Sequence, residues 1–565
     1  MGTRRVELAT AAAAAMCLVL ASHLRLVSGL CARSVLGASS VGSSRHAVAS
    51  RQRHTLRMGA AASTGGKRKR GKANPEMDAV LEKYEPVIGI EIHVQLATES
   101  KAYCRCSTTY SPLTPNTNIC PVCMGEPGSL PVPNDKVVEI AAKAGMALGC
   151  SIAQETKWDR KNYFYPDTPK NYQITQYDRP IGEHGRILLP NGREVGVTRI
   201  HMEEDSAKMN HQGAGTSLAG STHSLIDFNR AGIPLAEIVS EPDMRSGLDA
   251  AEYGKELQRI LRYIGASDGN MAEGSLRLDV NVSLRPKGSS ELRTKVELKN
   301  LNSFRAVQES TDYEIIRQGK CYETGETIRQ ETRLWDEKEK VTKIMRVKEG
   351  ESDYRYFPEP DIPPLRLPRA VIDGWRAELC ELPAEKRARY RSEYKLSEAD
   401  AETITDDQTV AAYFEAAIAA GADPSEAAKW ILGDIAAYVN KAAVAITDIG
   451  LTPPLLAEMV TLIQGGRITG KIAKELLPEL LEGGCEGGVA AVVKERGMEV
   501  ITDVTVIEGV VREVMEKNAD KVEQYRGGKA QLAGFFVGQS MALSGSRADP
   551  GTLQRVVKAM LDGTQ

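Results

Sequence analysis

Apolar residues fall on every second position in Val87–Leu96, with Ile88, Ile90, Ile92, Val94 and Leu96 on one side and Glu91, His93 and Gln95 on the other. Residues 275–285 repeat the design, with Leu276, Leu278, Val280, Val282 and Leu284 opposed to Arg277, Asp279 and Asn281. A period of two fits a strand with one buried face, and no helix places those residues on one stripe. Helical spacing is interspersed at residues 136–148, 249–264 and 305–318, so the stretch from Pro86 to about Pro368 reads as mixed α/β. Beyond the Pro-rich stretch 358–368 the period changes to 3.6, in Ala-rich runs such as 410–420 and 427–439. Pro453-Pro454 and the glycines between 483 and 488 mark further breaks.

The expected architecture is an α+β domain (a mixed sheet with helices) over residues 81–368. An all-α helical domain over 369–452 and a helical tail over 453–565 follow it. Residues 1–80 stand apart as a targeting presequence and basic linker. Residues 1–75 carry 13 Lys/Arg against one acid, Glu7, or +12, so the net charge of −3 leaves −15 for the rest. An apolar run at 9–21 follows Arg4 and Arg5, and a Ser/Arg/Ala tract follows that, the pattern of an organellar transit peptide for mitochondrion and/or plastid (chloroplast). No later segment is apolar for long enough to span a bilayer, so no membrane contact is expected. The acidic body argues against a broad basic surface for nucleic acid; RNA contact has to be local.

Four of the ten cysteines form Cys104-x-Cys106 and Cys120-x-x-Cys123. Two such pairs can close a tetrahedral, structural zinc site; free buried thiols are the competing reading. All five histidines beyond residue 80 lie between 93 and 223, which places His-dependent chemistry in the α/β half. His93 shares a polar strand face with Glu91. A second acidic cluster, His201-Met202-Glu203-Glu204-Asp205, ends another alternating stretch. Carboxylates with an imidazole could hold Mg²⁺ against phosphate oxygens, or form a plain surface ladder. Residues 158–177 hold six aromatics, Tyr163 and Tyr165 among them, interleaved with Arg160, Lys161 and Lys170. That mixture suits stacking on a nucleotide or tRNA end, with core packing as the alternative. The run Gly465–Ile472 fits G-x-x-x-x-G-K but puts Ile472 where a metal-binding hydroxyl belongs, so it reads as a helix–helix turn. No G-x-S-x-G elbow supports an esterase-type nucleophile. Residues 451–565 carry 13 Lys/Arg and 15 Asp/Glu, so any RNA contact there would concentrate at the Gly-bearing turns with Lys471, Arg526 and Lys529.

Six long motifs occur in one order: residues 87–96, 159–167, 201–205, 234–243, 297–303 and 353–361. With them the chain resembles the GatB family, the B subunits of the aspartyl/glutamyl-tRNA amidotransferase GatCAB, from about residue 86 to the C-terminus. The resemblance implies a cradle-shaped α+β domain, the helical domain and a YqeY-like tail that grips tRNA. It also implies ATP-dependent phosphorylation of misacylated Glu-tRNA(Gln), and amidation by ammonia that the amidase subunit, GatA, frees from glutamine. The small subunit, GatC, would join GatA to this chain. Asp-tRNA(Asn) is a further candidate substrate. By motif match, Glu91, His93 and Glu204 are the expected Mg²⁺ ligands, Lys161 lies near the ammonia path, and the cysteines match the zinc-carrying members. Ser206-Ala207 stands where the family usually has Ala-Gly, which puts the local loop conformation in doubt. The alternative from another class is a non-catalytic, zinc-stabilised tRNA-binding scaffold.

Overall fold

The two period-two segments become neighbouring strands at the centre of one sheet. A computed structural model of the chain describes residues 74–213, 220–347, 353–484 and 487–563. The expected presequence, apart from its last residues, and Cys485 lie outside them. In chain order the sheet contains β1 (Tyr84–Gln95), β2 (Ser151–Ile152), β3 (Gly182–Leu188), β4 (Glu194–Glu204) and β5 (Pro234–Ser240). It continues with β6 (Leu276–Pro286), β7 (Val296–Lys299), β8 (Glu331–Asp336) and β9 (Val341–Val347). Their spatial order is β9-β8-β7-β6-β1-β5-β4-β3-β2. Every neighbouring pair is antiparallel except β7 and β8. A parallel pair needs a crossover, and α3 (Phe304–Thr324) supplies it.

One face of the sheet is sealed by α3, α1 (Asp135–Ala147) and α2 (Gly247–Tyr263). Ile88, Ile90, Ile92 and Val94 are at most 1% exposed on that face, each worth about 1.5–3 kcal/mol of burial. The helix α2 lies close to the sheet because Gly254 has no side chain. A Cβ there would sit 2.8 Å from Leu278 Cδ2 and 2.9 Å from Phe304 Cε1. The other face carries the polar residues of the alternation and is roofed by a small sheet of Phe357–Pro358, Asp159–Asn162 and Tyr172–Thr175.

From Arg369 onward the described residues form helices, a single π-helical turn at Ile431–Ile435 and short 3₁₀ turns. One apolar core runs from Tyr390 to Val493 and another from Ile507 to Leu561. Residues on both sides of the expected boundary at 452 therefore share a core, because Leu451, Leu456 and Met459 pack with Phe414 and Ile431. The P-loop look-alike is a turn between two helices, Pro453–Gln464 and Gly470–Glu482, with the Thr469 side chain capping the second. Among the described residues, no helix is long and apolar enough to cross a membrane.

Candidate active site

Strand register builds the polar face row by row. His93 on β1 lies opposite Glu237 on β5 and Arg277 on β6, and Glu237 lies opposite His201 on β4. Side chains in one row share a face, so Arg277, His93, Glu237 and His201 line up across four strands. His93 Nε2 is 3.2 Å from Glu237 Oε2 and 3.8 Å from Glu203 Oε2. His201 Nε2 stands 3.4 Å from both Glu203 and Glu237, and its Nδ1 is buried without a hydrogen-bond partner. Lys161 reaches down from the roof, its Nζ 3.4 Å from Glu203 Oε1 and 5.4 Å above the Tyr354 ring. Thr175 Oγ1 and Gln173 Nε2 donate to the two oxygens of Glu203 at 2.7 and 3.1 Å.

Burying two acids, two imidazoles and an ammonium together is costly unless their charges compensate. Burial alone pushes the His201 imidazole down, yet Glu237 and Glu203 beside it hold it up at about 9. His93 is raised against the same burial by Glu237 first. Burial likewise disfavours ionised Glu237, but both imidazoles hold its carboxyl well below the usual range. Lys161 is raised by Glu203 and Glu237 in spite of its own burial.

Ligand-type atoms of His93, Glu203 and Glu237 lie within 4.8 Å of one another. Two carboxylates at that spacing with one imidazole nitrogen are a donor set that fits Mg²⁺ shared with phosphate oxygens. Of the expected ligands, His93 stands in this group. Glu91 stands one row away, opposite Asp279 and accepting from Asn281 Nδ2 at 3.4 Å. Burial, then Glu237 and Asp279, raise its carboxyl. Glu204 turns to the other side of β4, as its neighbour-in-sequence relation to Glu203 requires. There it accepts from Lys170 Nζ at 2.8 Å and from the Ile174 N–H at 2.9 Å. Of the two adjacent acids, Glu203 is the one whose carboxylate stands beside His93. The signal was present in the sequence: His201 and Glu203 are two apart and must share a face, and Glu237 is a lone acid within an apolar strand.

Cys104, Cys106, Cys120 and Cys123 come together with their sulfurs within 4.8 Å, the geometry of a four-thiolate site. The Cys120 N–H donates to Cys123 Sγ at 3.1 Å, and the fully buried Lys101 ammonium lies 3.8 Å from that sulfur. A hydrogen bond from Cys104 first, then the Cys120 N–H and Lys101, bring the Cys123 thiol down to about 5. A thiolate held ready in this way suits a metal.

The aromatic stretch divides between core and surface. Trp158 is buried, and Tyr163 is half-buried beside Thr168, Lys170 and Glu204. Tyr165 and, further out, Phe164 are exposed, while Tyr177 stacks on Tyr356 at 4.3 Å between ring centres. In the tail, Lys471 Nζ donates to Ser546 Oγ at 2.5 Å and Arg526 Nε to the Leu561 carbonyl at 3.2 Å. Lys529 is exposed, with Gln524 as its partner.

The family described as the GatB/GatE catalytic domain matches residues 86–373, and that described as the GatB domain matches residues 412–561. Curated B subunits of aspartyl/glutamyl-tRNA(Asn/Gln) amidotransferases are similar over most of the chain. That of Synechococcus elongatus is 55% identical over 492 residues, covering 86% of this chain and 99% of its own length. That of Trichodesmium erythraeum is 54% identical over 492 residues, with the same two coverages.

Proposed function

The chain belongs to the GatB family, and from that premise we propose that it is the component of a GatCAB amidotransferase that activates and amidates misacylated tRNA. It forms Gln-tRNA(Gln) from Glu-tRNA(Gln) with ATP and glutamine-derived ammonia, alongside the amidase GatA and the small protein GatC. The name carried by its relatives extends the proposal to Asp-tRNA(Asn). The single observation that carries the reading is the row of His93, Glu237 and His201 with Glu203 and Lys161, held between sheet and roof. A scaffold that only binds tRNA gains nothing from burying five ionisable groups together, so the scaffold alternative is not favoured.

A carboxylate cannot be aminated until it carries a leaving group, and ATP supplies one as an acyl phosphate. His93, Glu203 and Glu237 would hold Mg²⁺, with Glu91 one row away on the same face. The metal, when bound, offsets negative charge on the transferring phosphoryl group. Lys161, fixed by Glu203 and Tyr354, offers an ammonium to the same oxygens. The roof of Asp159–Asn162 and Tyr172–Thr175 keeps bulk water from the acyl phosphate, which would otherwise hydrolyse it. The exposed Phe164, Tyr165 and Tyr177 rings at the roof's edge suit stacking on the tRNA terminus, and Lys471, Arg526 and Lys529 contacts further along its backbone. Cys104, Cys106, Cys120 and Cys123 would hold a structural zinc. The leader, free of acids from Leu8 to Pro75, and the cyanobacterial relatives support a plastid location, with the mitochondrion as the other candidate.

Reconstitution with GatA and GatC, assayed for ATP-dependent conversion of Glu-tRNA(Gln), tests the reading. His93→Ala or Glu203→Gln should abolish amidation while glutamine hydrolysis by the amidase stays measurable. Wild-type amidation by either variant would refute the ligand assignment.

A further inference from the structure

The four-cysteine group and the Lys170–Glu204 pair are walls of one cavity of about 100 Å³, lined by Cys104, Cys123, Gly125, Lys170, Tyr172 and Glu204 among others. The contact between the two walls is Gly125. This residue ends the short helix Pro121–Met124 in the left-handed conformation, φ 67°, its N–H donating to the carbonyls of Pro121 and Val122. A Cβ at position 125 would overlap Lys170 Cγ and lie 3.1 Å from Lys170 Cα. Only glycine lets the lysine stem lie flat on the cysteine knuckle while the turn is made. At the far end of that stem, Lys170 Nζ is 2.7 Å from Glu204 Oε1, and the Glu204 side chain is 5% exposed. On the opposite side Gly232 leaves room for both Lys101, 3.5 Å from where its Cβ would be, and Glu204 Oε2, at 3.9 Å.

We propose that the four-cysteine knuckle is a positioning element for Lys170, with Gly125 as the point of contact. Closure of the knuckle around its metal then sets whether the Lys170 ammonium holds Glu204. Closed, the Pro121–Gly125 turn is rigid and the lysine stem has one seat. Opened, the seat moves and a buried carboxylate is left with the Ile174 N–H alone, an arrangement that low polarity penalises. The consequence for amidation rests on the function proposed above; the positioning itself does not.

Gly128 provides the control, since it lies in the same loop with φ 84° and has nothing within 4 Å of its would-be Cβ. Gly128→Ala therefore carries the backbone strain without the contact. The assembled complex is treated with an amine-acetylating reagent, and labelling of Lys170 is read by peptide mass spectrometry. Lys170 labelling should rise several-fold in Gly125→Ala and in wild-type protein stripped with a zinc chelator, and stay at the wild-type level in Gly128→Ala. Amidation should fall in Gly125→Ala with glutamine hydrolysis unchanged. Adding Gly125→Ala to Lys170→Ala should lower amidation less than Gly125→Ala does in the wild-type chain, because Lys170 Cγ, the atom it overlaps, is gone and only the strained turn and the approach to Lys170 Cα remain. Wild-type protection of Lys170 after chelation and in Gly125→Ala overturns the proposal, as does a simple sum of the two substitutions. A wild-type complex that fails to amidate Glu-tRNA refutes the functional reading instead, and the labelling result still judges the positioning.

Discussion

Glu359→Gln is the substitution whose effect can be worked most directly from the structure. The Glu359 carboxylate accepts from Arg160 Nε and Nη2, both at 2.7 Å, and its side chain is fully buried. Arg160 also lies 4.2 Å over the Tyr172 ring, and its strand pairs with Phe357–Pro358. The two parallel hydrogen bonds therefore clamp the 353–361 motif onto the strand that carries Lys161. Glutamine keeps the shape but removes the charge and turns one acceptor into a donor facing a guanidinium. Breaking a fully buried pair costs about 3–5 kcal/mol. Arg160 is 19% exposed, so water recovers part of this and about 3 kcal/mol is expected. For a domain of this size that is on the order of 6 °C in melting temperature. Arg366→Ala, which breaks a pair between an 85%-exposed Arg366 and a 40%-exposed Glu155, should cost at most about 1 kcal/mol. Thermal unfolding of both variants is the assay, with amidation measured below the transition. Glu359→Gln should also lower amidation, since Tyr354 and Lys161 lose their fixed spacing. Equal melting shifts for the two variants would refute the argument that the clamp is buried and bidentate.

Elemental analysis of the native protein should find one zinc per chain, and Cys104→Ser should remove it and lower the melting temperature; a metal-free native protein ends the zinc assignment. Lys471→Ala combined with Lys529→Ala should raise KM for Glu-tRNA several-fold and flatten its salt dependence, with glutamine hydrolysis unchanged; an unaltered salt slope means the tail reads tRNA elsewhere. Asp312, whose carboxyl is raised to about 6 by burial despite accepting from the Gly247 N–H, should shape the pH–stability curve. The folded state keeps its proton to higher pH than the unfolded chain, so this group lowers stability as pH rises from about 4 to 6. Asp312→Asn should then stabilise the protein at pH 7.5 by about 1–2 kcal/mol, after discounting for partial exposure, and not at pH 4. A gain of equal size at both pH values would show that the proton is not responsible.

Strand identity, strand face and the change from sheet to helices were legible in the sequence because side-chain periodicity is local. A period of two in residues 87–96 and 275–285 determines which side chains meet helices and which meet solvent or ligand, whatever the partner strand. The same local logic could have paired His201 with Glu203. The cysteine quartet was legible too, since two short spacings bring thiols together within single turns. What the sequence could not decide was register. Whether β1 sits beside β5 and β6, and which residue of β5 faces His93, depends on contacts between segments 140 or more residues apart. A slip of one position would replace Glu237 by an apolar neighbour. Only the assembled sheet puts His93, Glu237 and His201 in one row and turns Glu204 away to Lys170. The domain boundary at 452 depended on the same kind of information, because the Pro453-Pro454 pair starts a helix rather than ending a core. Lys170 against Gly125 lies furthest from the reach of sequence: no local pattern links the two, and their contact exists only because the cysteine turn and the roof close on the same cavity.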